Sequence, residues 1–284
     1  MKWPILSAVA LALAGIGSAA PAPVAVPVAA RPFAPTRFSV QVVGTGPDVI
    51  LIPGLTGSRE VWRGAVAGVP GYRYHLVQVA GFAGTPARGN ARGDVVAPLA
   101  EEIARYIAAS GLRKPAIVGH SMGGTVAMMV AARHPSLAGK VMVVDMMPQP
   151  AGILGGTAEG MRGLADSLRE LSESPGGKAL VESAIRLFGN PESGADPDVT
   201  ARATHELALT DLTPELPRIA APLTVLYASL DPTRHAADDA RYRSAYAKKR
   251  GTKLVRIDDS GHMIMYDQPA RFRSELKAFL GPGG

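Results

Sequence analysis

Ala116-Ile117-Val118-Gly119-His120-Ser121-Met122-Gly123-Gly124 is the stretch on which the reading of this chain turns. Pro115 to Gly119 is predicted as a short buried strand, and Met122 to Arg133 as a helix that His134-Pro135 ends. Gly119, Ser121 and Gly123 stand in a Gly-x-Ser-x-Gly run between the two. A strand-to-helix turn this tight puts the serine in strained dihedrals, and glycines on either side remove side chains that would collide across it. The serine oxygen then projects above a sheet, at the positive end of a helix. Gly-x-Ser-x-Gly alone arises often by chance; its position between strand and helix, with Gly124 following, gives it weight.

Working outward, strands are expected at Phe38 to Val43, Asp48 to Ile52, Arg73 to Val79, Lys140 to Asp145, Leu223 to Ala228 and Lys253 to Ile257. Helices are expected at Asp94 to Ala109, where Val95, Leu99, Ile103 and Ile107 share a face, and at Ala236 to Lys249 and Pro269 to Leu280. Strands alternating with helices of this length imply crossover connections and a mostly parallel sheet wrapped by helices, an α/β fold. The core is expected over residues 36–147 and 217–284. Residues 148–216 read as a strand-free helical cap, inserted after the sixth strand, with apolar faces at Leu164, Leu168, Leu171 and at Val181, Ala184, Ile185, Phe188.

Of the 284 residues, 47% are apolar and 19% charged, a globular composition. The net charge of +6 is uneven. Ala151 to Glu215 holds 5 Lys/Arg against 11 Asp/Glu, a balance of −6, which leaves +12 for the rest. The positive residues are scattered without aromatic interleaving, so no nucleic-acid partner is expected. There is no cysteine, which excludes disulfides, a thiol nucleophile and thiolate metal sites. No motif calls for a metal or a cofactor.

Lys2, the apolar run Ile5 to Gly17 and the small residues Gly17-Ser18-Ala19-Ala20 are the parts of a secretory signal peptide, residues 1–20, cleaved after Ala19 or Ala20. The run is shorter than the roughly 20 residues a membrane span needs. An exported, periplasmic or secreted protein is expected, with no stable membrane span after cleavage. Residues 21–35, with five prolines, read as an extended linker.

A serine hydroxyl needs a base, and the base an orienting acid. His262, in Ser260-Gly261-His262 after the last strand, is the candidate base. His75, His120, His134, His205 and His235 read as structural or solvated; the side chain of His120 points away from that of its neighbour Ser121. Asp231, in the loop after Leu223 to Ala228, is the chosen acid, because catalytic loops gather at the carboxyl ends of parallel strands. The chain order Ser121, Asp231, His262 agrees with this kind of turn. Asp145 also ends a strand and is the runner-up; Asp258 and Asp259 lie too near His262 along the chain. Backbone amides of Met122 and Leu55 are the expected oxyanion donors, since Pro53 has no N–H. Met146, Met147 and Met263 fall beside these loops and are candidates for an apolar substrate pocket.

Ile50-Leu51-Ile52-Pro53-Gly54, the Ser121 turn, Asp231 and Gly261-His262 together resemble the α/β-hydrolase superfamily, from about Phe33 to the C-terminus. The resemblance implies an acyl-enzyme route and capped members of that fold. Many relatives carry His-Gly where this chain has Pro53-Gly54, and an Asp before Gly81-Phe82 where it has Val77-Gln78-Val79-Ala80. Serine at the turn separates it from the aspartate-using haloalkane dehalogenases and epoxide hydrolases. The expected activity is hydrolysis of a small or medium apolar carboxylic ester. The alternatives are amide or carbon–carbon hydrolysis, acyl transfer or cofactor-free perhydrolysis by the same triad, and, from another class, a catalytically silent binding module. Oligomeric state is not legible.

Overall fold

Each strand of the sheet carries apolar side chains on both faces, which is what a parallel sheet covered by helices on both sides requires. The computed structural model describes Met1, residues 33–152 and residues 194–281. Residues 2–20 of the expected signal peptide and most of the expected linker lie outside the described residues, as do Leu164, Leu168, Leu171, Val181, Ala184, Ile185 and Phe188 of the expected cap.

The strands are β1 (Phe38–Val43), β2 (Asp48–Ile52), β3 (Arg73–Val79), β4 (Ala116–His120), β5 (Lys140–Val144), β6 (Leu223–Ser229) and β7 (Lys253–Asp258). They form one sheet in the order β1-β3-β2-β4-β5-β6-β7. β1 runs antiparallel to β3, and the other pairings are parallel. The first three strands and the helices at 122–133 and 269–280 coincide with the expected bounds; the rest differ by a residue or two at an end, or by up to four for the helix after β6.

Ile50, Ile52, Val77, Val79, Ile117, Val141, Val143 and Val225 face one side. There they meet α2 (Val96–Ala109), α3 (Met122–Arg133) and α5 (His235–Ala245), the last through Tyr242, with Tyr246 directly after it. The alternate residues, among them Val49, Leu51, Val118, Met142, Val144 and Leu226, face the other side, against Trp62, Phe272, Leu276 and Leu280. Those four come from the turn leading into α1 (Arg63–Gly68), a helix the sequence pattern did not suggest, and from α6 (Pro269–Leu280). Each such fully buried side chain contributes about 1.5–3 kcal/mol.

Phe33–Gly284 forms one unit by itself, beginning within the stretch read as linker. The Phe33 ring lies 6.4 Å from that of Tyr106. Buried Glu102 accepts from the amides of Thr36 and Arg37 at 2.9 and 2.7 Å, fixing where the chain joins the sheet. The inserted segment follows the fifth strand of the described chain, not a sixth as expected. Its described part is a short 3-10 turn (Pro150–Gly152) and α4 (Pro197–Leu209). α4 is joined to the core by Glu206, whose carboxylate accepts from the amides of Val95, Val96 and Ala97 at 2.8, 2.6 and 2.7 Å, at the start of α2. Among the described residues no helix is long and apolar enough to cross a membrane.

Candidate active site

The turn between β4 and α3 is built as its glycines predict. Ser121 has φ 52° and ψ −123°, a left-handed region that costs a non-glycine residue about 1–3 kcal/mol. Its amide is tied to the Val144 carbonyl at 2.9 Å, and its carbonyl accepts from Gly124 N at 2.7 Å. A Cβ on Gly119 would lie 2.0 Å from the Gly123 oxygen, and one on Gly123 would lie 2.3 Å from the Ile52 oxygen. Both positions are therefore closed to any side chain. Ser121 itself is half-buried, in front of the first turn of α3, where backbone amides have no intrahelical acceptor.

The strand after β4 supplies the next group. Asp145 directly follows β5, with φ 49°, and its amide donates to Leu226 O at 2.8 Å. Its buried carboxylate reaches across β6: Oδ1 accepts from Ala228 N and from the Tyr242 hydroxyl, each at 2.9 Å. Oδ2 lies 2.7 Å from His262 Nδ1. Tyr242 is in turn stacked on Tyr227 with ring centroids 4.2 Å apart. Burial, then the charge of Asp145, push its phenol well above the usual range, so it stays a donor.

The expected acid, Asp231, is not at His262. It sits exposed beyond the end of β6, where Oδ1 accepts from the Thr233 amide at 2.9 Å and the Thr233 hydroxyl at 2.7 Å. It starts the 3-10 turn Pro232–Arg234. The Thr233 hydroxyl, and after it the Thr233 amide, hold its carboxyl below the usual carboxylate range. Ser229 and Leu230 carry the chain outward before Asp231 is reached, so its carboxylate serves its own turn. The runner-up, Asp145, is the carboxylate the fold brings to the histidine.

His262 lies on the loop after β7, its side chain 42% exposed. The loop closes on itself: Gly261 N donates to Asp267 Oδ2 at 2.9 Å and Gln268 Nε2 to Asp259 O at 2.9 Å. His120 is buried, its ring centroid 4.7 Å from that of His262. Its Nε2 lies 2.9 Å from the His262 carbonyl oxygen, which only accepts, so Nε2 carries the proton. Burial, with the nearby His262 second, pushes His120 down to about 4, and the ring is neutral at neutral pH. The other histidines lie away from His262. His75 is buried between Tyr106 Oη at 2.7 Å and Asp48 Oδ1 at 3.0 Å, His134 meets Glu101 at 2.9 Å, His235 lies 3.8 Å from Asp258, and His205 is on α4.

Met122 opens α3, and Leu55 lies half-buried in the turn after β2 that the Gly57 N to Gly54 O bond closes at 3.1 Å. That turn abuts the serine: a Cβ on Gly54 would lie 3.1 Å from Ser121 Cβ and 3.0 Å from His120 Nδ1. The three candidate pocket methionines do not share one apolar cluster. Met146 and Met147 are buried on the α3 face, with Tyr246 Oη donating to Met146 O at 2.6 Å, whereas Met263 packs half-buried on the opposite face. Among the described residues no cluster of His, Asp and Glu is arranged to hold a metal ion.

Two participants escaped sequence reasoning. Tyr242 had a signal, its spacing of four from Tyr246 at the end of α5, but nothing local pointed it at Asp145. For His120 the sequence pointed only away from Ser121, and only the fold shows what it meets.

Sheet order, strained serine turn and His–Asp pair together narrow the class to hydrolases of the α/β type. The chain belongs to the alpha/beta hydrolase family, which it matches over residues 49–275, and is a hydrolase. A relative, pimeloyl-[acyl-carrier protein] methyl ester esterase of Vibrio vulnificus (strain YJ016), is 25% identical over 265 residues, 87% of this chain and 99% of the relative. Among solved structures, an esterase from Thermogutta terrifontis is similar, with a TM-score of 0.69, 21% identity, and 86% of this chain and 92% of that one covered. An enol-lactonase from Burkholderia xenovorans LB400 matches with a TM-score of 0.63, 19% identity, and coverage of 86% and 96%.

Proposed function

We propose that this hydrolase cleaves a small or medium apolar carboxylic ester through an acyl-enzyme, with Ser121 as nucleophile, His262 as base and Asp145 as the acid that orients it. The observation that carries the reading is the 2.7 Å approach of Asp145 Oδ2 to His262 Nδ1, on a sheet whose neighbouring strand ends in the strained Ser121. That bond places the Nδ1 proton toward the carboxylate and leaves Nε2 free to accept the serine proton. Ser121 Oγ attacks the ester carbon while its proton passes to His262. The oxyanion is held by the amides of Met122 and Leu55. Collapse expels the alcohol, which takes the proton back from His262. Water, deprotonated by His262, then attacks the acyl carbon; the second collapse breaks the bond to Ser121 Oγ, which takes the proton back from His262, and the carboxylic acid leaves.

Support comes from the relatives, whose names state methyl ester, ester and lactone as what they act on. The half-buried apolar side chains of Leu55 and Met263, beside the turn and the histidine, suit an apolar substrate group. Residues 148–216 are proposed as the specificity cap. Export is proposed on the charge and apolar pattern of residues 1–20.

The test is labelling with a fluorophosphonate, peptide mapping, and hydrolysis of p-nitrophenyl esters of increasing chain length. A single adduct on Ser121, and a loss of about 10⁶-fold in turnover in Ser121→Ala, are expected. Unchanged ester turnover in that variant would overturn the mechanism.

A further inference from the structure

We infer that His120 is a positioning residue, whose imidazole fixes the backbone of His262 against the strand that carries Ser121. The activity half of its test rests on the esterase reading above; the structural half does not.

His120 is the last residue of β4, one position before Ser121. Its ring is only 4% exposed and fits between two neighbours. On one side is Gly54, where an added Cβ would lie 3.0 Å from Nδ1. On the other is His262, whose carbonyl accepts from Nε2 at 2.9 Å and whose ring lies 4.7 Å away, tilted by 46°. The remaining bonds of the His262 loop run elsewhere. Gly261 reaches Asp267, Asp259 reaches Gln268, and Met263 O accepts from Tyr266 N at 2.7 Å; these fold the loop on itself without touching β4. Among the hydrogen bonds of the described residues, His120 to His262 is the one that joins the backbone of the base to the strand of the nucleophile.

The two ties on His262 divide the work of placing it. Asp145 grips Nδ1 and so sets the rotation of the ring. His120 grips the carbonyl and so sets how far the whole residue stands from Ser121. A half-exposed histidine on a loop has few packing contacts to do this instead. Because His120 sits in a desolvated site it stays neutral, keeps its Nε2 proton, and does not compete as a base. Its effect is geometric, and a misplacement of about 1 Å can lower a rate about 100-fold.

The experiment compares His120→Gln, His120→Asn and His120→Leu with the unaltered protein. Glutamine carries an amide N–H at the reach of Nε2; asparagine falls one bond short; leucine fills space without a donor. Two readouts are taken: kcat and KM on p-nitrophenyl butyrate, and hydrogen–deuterium exchange of the amides of residues 259–266. His120→Gln is expected to keep kcat within about threefold and the exchange unchanged. His120→Asn and His120→Leu are expected to lose about 10–100-fold in kcat, with KM within about threefold, and to exchange faster. Should His120→Leu fail to fold, the Gln and Asn pair carries the comparison. Equal impairment of Gln and Asn, or a folded His120→Leu with unaltered kcat and exchange, would overturn the inference. If the unaltered protein cleaves no ester, the esterase reading fails, and the exchange comparison still decides the role of His120.

Discussion

His262 Nδ1 meets Asp145 Oδ2 at 2.7 Å across the end of β6, the strand that lies between their own. Asp145 Oδ1 is meanwhile held by the Ala228 amide and the Tyr242 hydroxyl, so that both carboxylate oxygens have fixed partners. A carboxylate so held is oriented before substrate arrives, at the cost of burying a charge that three donors offset.

The choice of acid follows directly. Asp145→Asn is expected to lower ester turnover about 10⁴-fold, because the amide no longer accepts the Nδ1 proton and the wrong tautomer is favoured. Asp231→Asn is expected to stay within about twofold, since its carboxylate caps an exposed turn. Steady-state kinetics on both variants checks this, and the reverse order would return Asp231 to the role.

Glu206 provides a stability test away from the chemistry. Its carboxylate takes three amides at the positive end of α2, a charge–dipole arrangement as well as a cap. Glu206→Gln keeps the shape and removes the charge, and is expected to cost about 1–2 kcal/mol. Urea denaturation measures it; an unchanged midpoint would show that the charge of Glu206 adds nothing to the hold of α4 on the core.

Glu215 gives a pH dependence of definite sign. Arg133 pairs with it in two parallel bonds of 2.9 and 3.0 Å, and those bonds, ahead of the opposing effect of burial, hold its carboxyl below the ordinary value of 4.5. A pKa depressed by folding contributes stability that is complete above the unfolded value and is lost as pH falls through the folded one. The side chains are partly exposed, so the contribution is discounted to about 1 kcal/mol. Glu215→Gln is expected to be less stable than the unaltered protein at pH 7 and to converge with it at an acid pH below the lowered folded value. Urea unfolding at the two pH values decides; a gap that persists in acid would assign the loss to packing.

The proposed export signal can be tested without activity. Expression in a host with a secretory pathway should give a mature chain beginning at Ala20 or Pro21, read by N-terminal sequencing of the exported fraction. Retention of Met1 on cell-associated protein would contradict export.

Much of the scaffold was written locally. β1, β2 and α3 coincide with their expected bounds because each ends at a local stop: Gly44 after β1, Pro53 after β2, His134-Pro135 after α3. The serine turn was legible for the same reason: the clashes that demand Gly119 and Gly123 arise within a few residues and the neighbouring strand. α1 was missed because Arg63–Gly68 is short, with two glycines and no long apolar period.

By itself, then, the sequence determined the alternation of strands and helices, the position of Ser121 and the candidacy of His262. Each rests on steric or hydrophobic constraints acting over short stretches of chain. Tertiary structure alone brought Asp145 and not Asp231 to His262, and made His120, read as structural or solvated, a partner of His262. Both depend on the path of a loop and on which strands lie side by side. Those follow from packing between residues more than 80 positions apart, such as Ala228 on Asp145 and His262 on His120.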